Sequence, residues 1–137
     1  MNQRMRSGKS SELIVAGELI RHGVDVYMPC VDDQAIDLLL RADGPDAVRY
    51  YDVQVKSVKG YNRIVGVRHL DKQQGSYILI IHYRHDNRPD EFFYLMHDQI
   101  GQHLLEDTDW GDLIFNKPER EQYAEQTLAH LAERLSD

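Results

Sequence analysis

Residues 35–40 read Ala-Ile-Asp-Leu-Leu-Leu, residues 48–56 read Val-Arg-Tyr-Tyr-Asp-Val-Gln-Val-Lys, and Asp43-Gly44-Pro45-Asp46 stands between them. Two runs rich in apolar, β-branched and aromatic residues on either side of a cluster of turn formers predict a two-stranded hairpin. Side chains alternate faces along a strand, so Asp52, Gln54 and Lys56 are expected on one face and Tyr51, Val53 and Val55 on the other. The hairpin can then gather a carboxylate at Asp37, a carbonyl oxygen at Gln54 and an ammonium at Lys56.

These three groups belong together around a hard divalent cation. Mg2+ takes oxygen ligands from a few side chains and keeps waters for the rest of its octahedron. Such an ion lowers the pKa of water and offsets the charge that builds on a phosphate under attack. Asp37 and Gln54 can supply ligand oxygens, and Lys56 can orient or help deprotonate the water. The competing reading is plainer: Asp37 caps a turn, and Gln54 and Lys56 face solvent.

The pattern resembles the PD-(D/E)xK nuclease superfamily: an Asp on one strand, a (D/E)-x-K triplet on the next, and often a Glu on the preceding helix. Gly8-Lys9-Ser10-Ser11-Glu12, followed by the apolar run from Leu13 to Ile20 and by Gly23, is similar to the opening helix of its small resolvase-like, restriction-endonuclease-like members. The resemblance spans residues 8 to 60. It departs at Gln54, where Asp or Glu is usual, and at Ile36, which stands where Pro precedes the Asp. It implies an α/β fold with a restriction-endonuclease-like core, an N-terminal helix and a mixed central β-sheet flanked by helices. It also implies a metal-dependent nuclease acting on phosphodiesters, with DNA the expected substrate and Mg2+ or Mn2+ the cofactor. The implied site is Glu12, Asp37, Gln54 and Lys56: Asp37 and Gln54 hold the metal, Glu12 binds a metal-linked water or a second ion, and Lys56 positions the attacking water. A non-catalytic nucleic-acid-binding or protein-interaction module with the same fold is the alternative, since fold alone does not settle activity.

Charge is uneven along the chain. The net charge is -7, opposite to what a phosphate binder suggests, yet residues 86–137 carry thirteen acids against four bases while the first 85 residues carry ten acids and twelve bases. Lys56, Lys59, Arg63, Arg68 and Lys72 follow the hairpin with only Asp71 opposing them. Lys9, Lys59, Arg63 and Arg68 are therefore the candidate phosphate contacts, against the simpler reading of solvated loop charge.

The remaining elements follow from periodicity and breakers. A helix capped by Ser10 or Ser11 is predicted to run to about His22 and stop at Gly23, with Leu13, Ile14, Ala16, Gly17 and Ile20 as its packed stripe. Strands are predicted over Val24 to Pro29, Ile64 to Val67, Tyr77 to Tyr83, Phe92 to Met96 and Leu113 to Phe115. The Tyr77 strand is apolar almost throughout and so buried on both faces. Asp98 to Leu105 reads as a short helix. Pro118 to Leu135 reads as a terminal helix with a core stripe of Tyr123, Leu128, Leu131 and Leu135.

With 137 residues and 42% hydrophobic content the chain has material for one core, so a single domain over residues 1–137 is expected. No apolar run is long enough for a membrane span and no hydrophobic leader is visible, which predicts a cytoplasmic protein. Cys30, the one cysteine, is expected as a small core residue. His82 and His85, three apart on a strand, point to opposite faces and make a poor metal pair. Asp32 and Asp33 read as turn formers or as acids behind the site. No phosphate-binding glycine loop and no nucleophile elbow is present. Cutting both strands of a duplex with one small domain calls for a twofold-related homodimer.

Overall fold

The computed structural model describes residues 1–30, 36–61, 64–67, 76–105 and 111–136, with Ile64 described by its backbone alone. Asp32, Asp33, Arg63, Arg68, Asp71 and Lys72 lie outside the described residues.

Helix α1 covers Gln3–Arg21 and begins earlier than the serines suggest, because the Asn2 side chain accepts from the Met5 amide at 2.9 Å and caps it. It ends at His22, and Gly23 takes a φ of 92°, a left-handed conformation that glycine adopts without steric cost. The buried stripe of α1 is Ser11, Val15, Ala16 and Leu19. Of the predicted stripe only Ala16 is in the core; Leu13, Ile14, Gly17 and Ile20 are exposed. The helix is rotated relative to its apolar content, and a serine leads its inner face.

The strands are β1 (Asp25–Tyr27), β2 (Leu38–Asp43), β3 (Val48–Lys59), β4 (Ile64–Gly66), β5 (Tyr77–Arg84), β6 (Glu91–Met96) and β7 (Asp112–Ile114). The five-stranded sheet runs β1-β2-β3-β5-β6. β3 and β5 pair in parallel, Gln54 opposite Leu79 and Lys56 opposite Ile81, and the other neighbours pair antiparallel. β4 and β7 form a separate two-stranded antiparallel ribbon. The predicted hairpin exists, but its first strand starts at Leu38, so Asp37 stands just before it.

The two faces of the sheet bury different partners. Leu38, Leu40, Val53, Val55, Ile78, Ile80, Tyr94 and Met96 pack with Val15, Ala16 and Leu19 of α1 and with Leu128, Leu131 and Leu135 of α4 (Leu128–Leu135). Val58, Leu79, Ile81, Tyr83, Phe93 and Leu95 pack with Val65 and Leu113 of the ribbon, Ile100 of α2 (His97–His103), Phe115 and Tyr123. β5 contributes to both clusters, as its apolar run predicted, and burial of each such side chain contributes about 2 kcal/mol.

The predicted terminal helix is two helices, α3 (Lys117–Gln122) and α4. Between them the Gln126 carbonyl accepts from the Tyr94 amide (3.0 Å) and the Gln126 side-chain amide donates to the Tyr94 carbonyl (2.6 Å). That break satisfies the outer edge of β6, which would otherwise present unpaired backbone groups. Thr127 then caps α4, accepting from the His130 amide at 3.2 Å. Cys30 is exposed, contrary to expectation, because β1 ends at Tyr27 and Cys30 lies beyond the sheet. No helix among the described residues is long and apolar enough to cross a membrane.

Candidate active site

Asp37 is fixed to β3 twice. Its amide donates to the Val53 carbonyl (2.8 Å) and its Oδ2 accepts from the Val55 amide (2.7 Å). The β2–β3 ladder ends at Leu38 opposite Val53, so the carboxylate takes the place of the next rung. This puts the acid in the plane of the sheet against the backbone of Val55, the residue between Gln54 and Lys56.

The alternation expected along β3 holds. Val53 and Val55 join the α1 cluster, while Val58, in phase with Gln54 and Lys56, joins the opposite one. Gln54 is 3% exposed and Lys56 is half-buried. Burial raises the Asp52 carboxyl above its ordinary value, two residues before Gln54 on the same face. Glu12 comes from α1, on the Val53 and Val55 side of the strand. Its Oε2 is 2.9 Å from Lys9 Nζ, and the Glu12 side chain is 14% exposed against 57% for Lys9. Thus Asp37 meets the backbone of the β3 triplet directly, and Glu12 stands on α1, the helix that packs on this sheet.

Asp37, Glu12 and Gln54 offer two carboxylates and one amide oxygen, an all-oxygen donor set that fits Mg2+ or Mn2+ and not a soft ion. Among the described residues no cluster of three or more His, Cys, Asp or Glu is arranged to hold a metal, so a bound ion here has to use Gln54 or water as well as carboxylates.

Of the candidate phosphate contacts, Lys9 and Lys59 are exposed, and Arg63 and Arg68 lie outside the described residues. Lys59 pairs with Arg84 at the ends of the parallel strands. Nearby, Tyr61 carries the Arg120 guanidinium 3.7 Å and the Arg88 guanidinium 4.9 Å from its ring centroid. This grouping comes from three separate segments, and nothing local in the sequence marks it.

One polar constellation was not foreseen. His82 on β5 is 1% exposed and faces α1; its Nδ1 bonds Ser11 Oγ, and its Nε2 is 2.7 Å from Asp90 Oδ2. Its ring stacks on Phe92 at 4.4 Å. His85 does diverge from His82, reaching Glu91 Oε1 at 2.8 Å. The available signal was a lone histidine inside an apolar strand, which states burial but not its partners.

No family model and no curated protein matches the sequence. Solved structures match the fold over nearly the whole chain. One is Hjc, a Holliday junction resolvase from the archaeal hyperthermophile Archaeoglobus fulgidus, with a TM-score of 0.58 at 14% identity, covering 92% of this chain and 95% of that one. Another is a bacterial homing endonuclease, with a TM-score of 0.60 at 17% identity, covering 97% of this chain and 93% of that one. At such identities the likeness is one of fold, a restriction-endonuclease-like mixed α/β fold.

Proposed function

We propose that this chain is a divalent-metal-dependent nuclease that hydrolyses phosphodiester bonds in DNA. The observation that carries the reading is the Val55 amide bonded to the Asp37 carboxylate, which ties an acid to the backbone between Gln54 and Lys56. The two solved structures that share the fold, a Holliday junction resolvase and a homing endonuclease, support DNA as the substrate class.

Asp37, Gln54 and Glu12 would hold Mg2+ or Mn2+. When bound, such an ion lowers the pKa of water and offsets charge on the phosphate. The Asp37 carboxylate is fixed in place by its backbone bond. Lys56, half-buried on the Gln54 face, holds and orients the attacking water. The water oxygen forms the new bond to phosphorus while the bond to the leaving oxygen breaks, and the leaving oxygen takes up the proton that the water gives up. Lys9 and Lys59, both exposed, would contact the phosphate backbone, and the same role is proposed for Arg63 and Arg68. A second copy of the chain, related by a twofold axis, would cut the other strand.

The test is cleavage of linear, nicked and branched DNA with Mg2+ or Mn2+ by the wild type, Asp37→Ala and Lys56→Ala. Each substitution should lower the rate by several orders of magnitude while the melting temperature shows a folded protein. Undiminished cleavage by either folded variant overturns the assignment. One observation favours the second reading, a non-catalytic DNA-binding module: Gln54 supplies oxygen without charge. Metal-independent DNA binding, with no cleavage of any of these substrates by the wild type, would establish it.

A further inference from the structure

Ser11 is the polar residue on the buried stripe of α1, and it directly precedes Glu12. The apolar contacts of Val15, Ala16 and Leu19 hold the helix on the sheet, but they are non-directional and fix neither its rotation nor its position along its axis. A hydrogen bond to a rigid acceptor does both. His82 is such a partner: it is on a strand interior to the sheet, 1% exposed and stacked on Phe92.

Both ring nitrogens of His82 are engaged. A carboxylate only accepts, so Nε2–H donates to Asp90 Oδ2, and in the neutral ring Nδ1 accepts the Ser11 hydroxyl. Asp90 is held in turn, its Oδ1 accepting from the His85 amide at 3.1 Å. The chain therefore runs from the β5–β6 turn through the sheet to the helix. Among the described residues, Glu12 Oε2 is buried, accepts no hydrogen bond and has one ionic contact, with the exposed Lys9. Where its carboxylate sits is thus decided by the backbone that carries it, one residue from the serine.

We propose that Ser11, His82 and Asp90 form a positioning relay that sets the rotation of α1 and so places the Glu12 carboxylate at the metal site. The inference rests on the nuclease reading for the role of Glu12, and it adds residues that touch neither metal nor substrate. Partners of this kind, one step behind the ligands, typically change metal affinity by about tenfold or more when removed.

The experiment is a double-mutant cycle on Mn2+ affinity, measured by calorimetry without DNA on the wild type, Ser11→Ala, Glu12→Gln and the pair. Ser11→Ala should weaken Mn2+ binding about tenfold in the wild-type background and not at all in the Glu12→Gln background. Ser11→Thr, which keeps the hydroxyl, should recover most of the loss. Amide hydrogen exchange gives an independent readout: protection of residues 9–14 should fall in Ser11→Ala while residues 16–21 keep theirs. If Ser11→Ala does not fold, Asp90→Ala at the exposed end of the relay serves in its place, with a smaller loss in the same direction. An equal loss in both backgrounds, or unchanged affinity in Ser11→Ala, overturns the relay and leaves the nuclease reading standing. Glu12→Gln with wild-type affinity overturns the role of Glu12, and the relay with it.

Discussion

The Val55 amide and the Asp37 carboxylate meet at 2.7 Å where the β2–β3 ladder has just ended. One oxygen thus does structural work, completing the edge of β3, beside the metal-binding role proposed for the charge of the group. Two substitutions separate the roles. Asp37→Asn keeps a carbonyl oxygen for the Val55 amide and should melt close to the wild type while losing Mn2+ affinity. Asp37→Ala strands the amide and should cost about 1–3 kcal/mol in addition. Equal destabilisation of the two variants in urea unfolding would show that the hydrogen bond does not hold the strand edge.

Gln54→Glu restores a third carboxylate, at a position that is 3% exposed. Burial penalises the charged form, so without metal the new acid should titrate above the ordinary range and lower the melting temperature. With Mn2+ or Mg2+ present the cost should reverse, and metal should bind more tightly than in the wild type. Melting curves with and without metal check this. A destabilisation that metal leaves unchanged would remove Gln54 from the ligand set.

The hairpin, the positions of most strands along the chain and the two-sided burial of β5 were legible because each rests on local alternation and turn chemistry. The face of α1 was not. Counting apolar residues selects Leu13, Ile14 and Ile20, all of which are exposed, whereas the inner face is led by Ser11, whose partner is seventy-one residues away. The split of the terminal helix was equally hidden, since Gln126 leaves the helix to close the edge of β6, a requirement set by tertiary structure. The closeness of Asp37 to the Gln54-Val55-Lys56 stretch could be read from spacing along the hairpin. His82 and Asp90 belong to the same region of the sheet but are linked to α1 only through the fold.

Tyr83 is buried between Phe93, Phe115 and Tyr61. Burial pushes its phenol up to about 12, against a weaker downward pull from the Arg120 guanidinium. A raised folded pKa gives stability that is complete below the unfolded value, near 10, and is lost as pH climbs toward 12. Urea unfolding should therefore show stability falling by about 3 kcal/mol across that window from this residue, and Tyr83→Phe should flatten the slope. An ultraviolet titration in which all eight tyrosines ionise near 10 in the folded protein would contradict the burial argument.

Asp90 gives the complementary test at low pH. Partial burial pushes its carboxyl up, but the hydrogen bonds from the His82 ring and the His85 amide, with the electrostatic attraction of both histidines, outweigh it, and the group stays below its ordinary value. A depressed carboxylate contributes stability above its unfolded pKa, near 4, and that contribution is lost as pH falls through the lower folded value. The wild type should thus be more stable than Asp90→Asn at pH 6, and the gap should close below pH 4 as Asp90 takes up a proton and its bond to the His82 ring weakens. Because the other end of that ring holds Ser11, protection of the α1 amides near residue 11 should fall over the same range. Urea unfolding from pH 6 to pH 3, paired with hydrogen exchange, checks both limbs. A gap between wild type and variant that is constant with pH would mean that the carboxylate charge does not support the chain from Asp90 to α1.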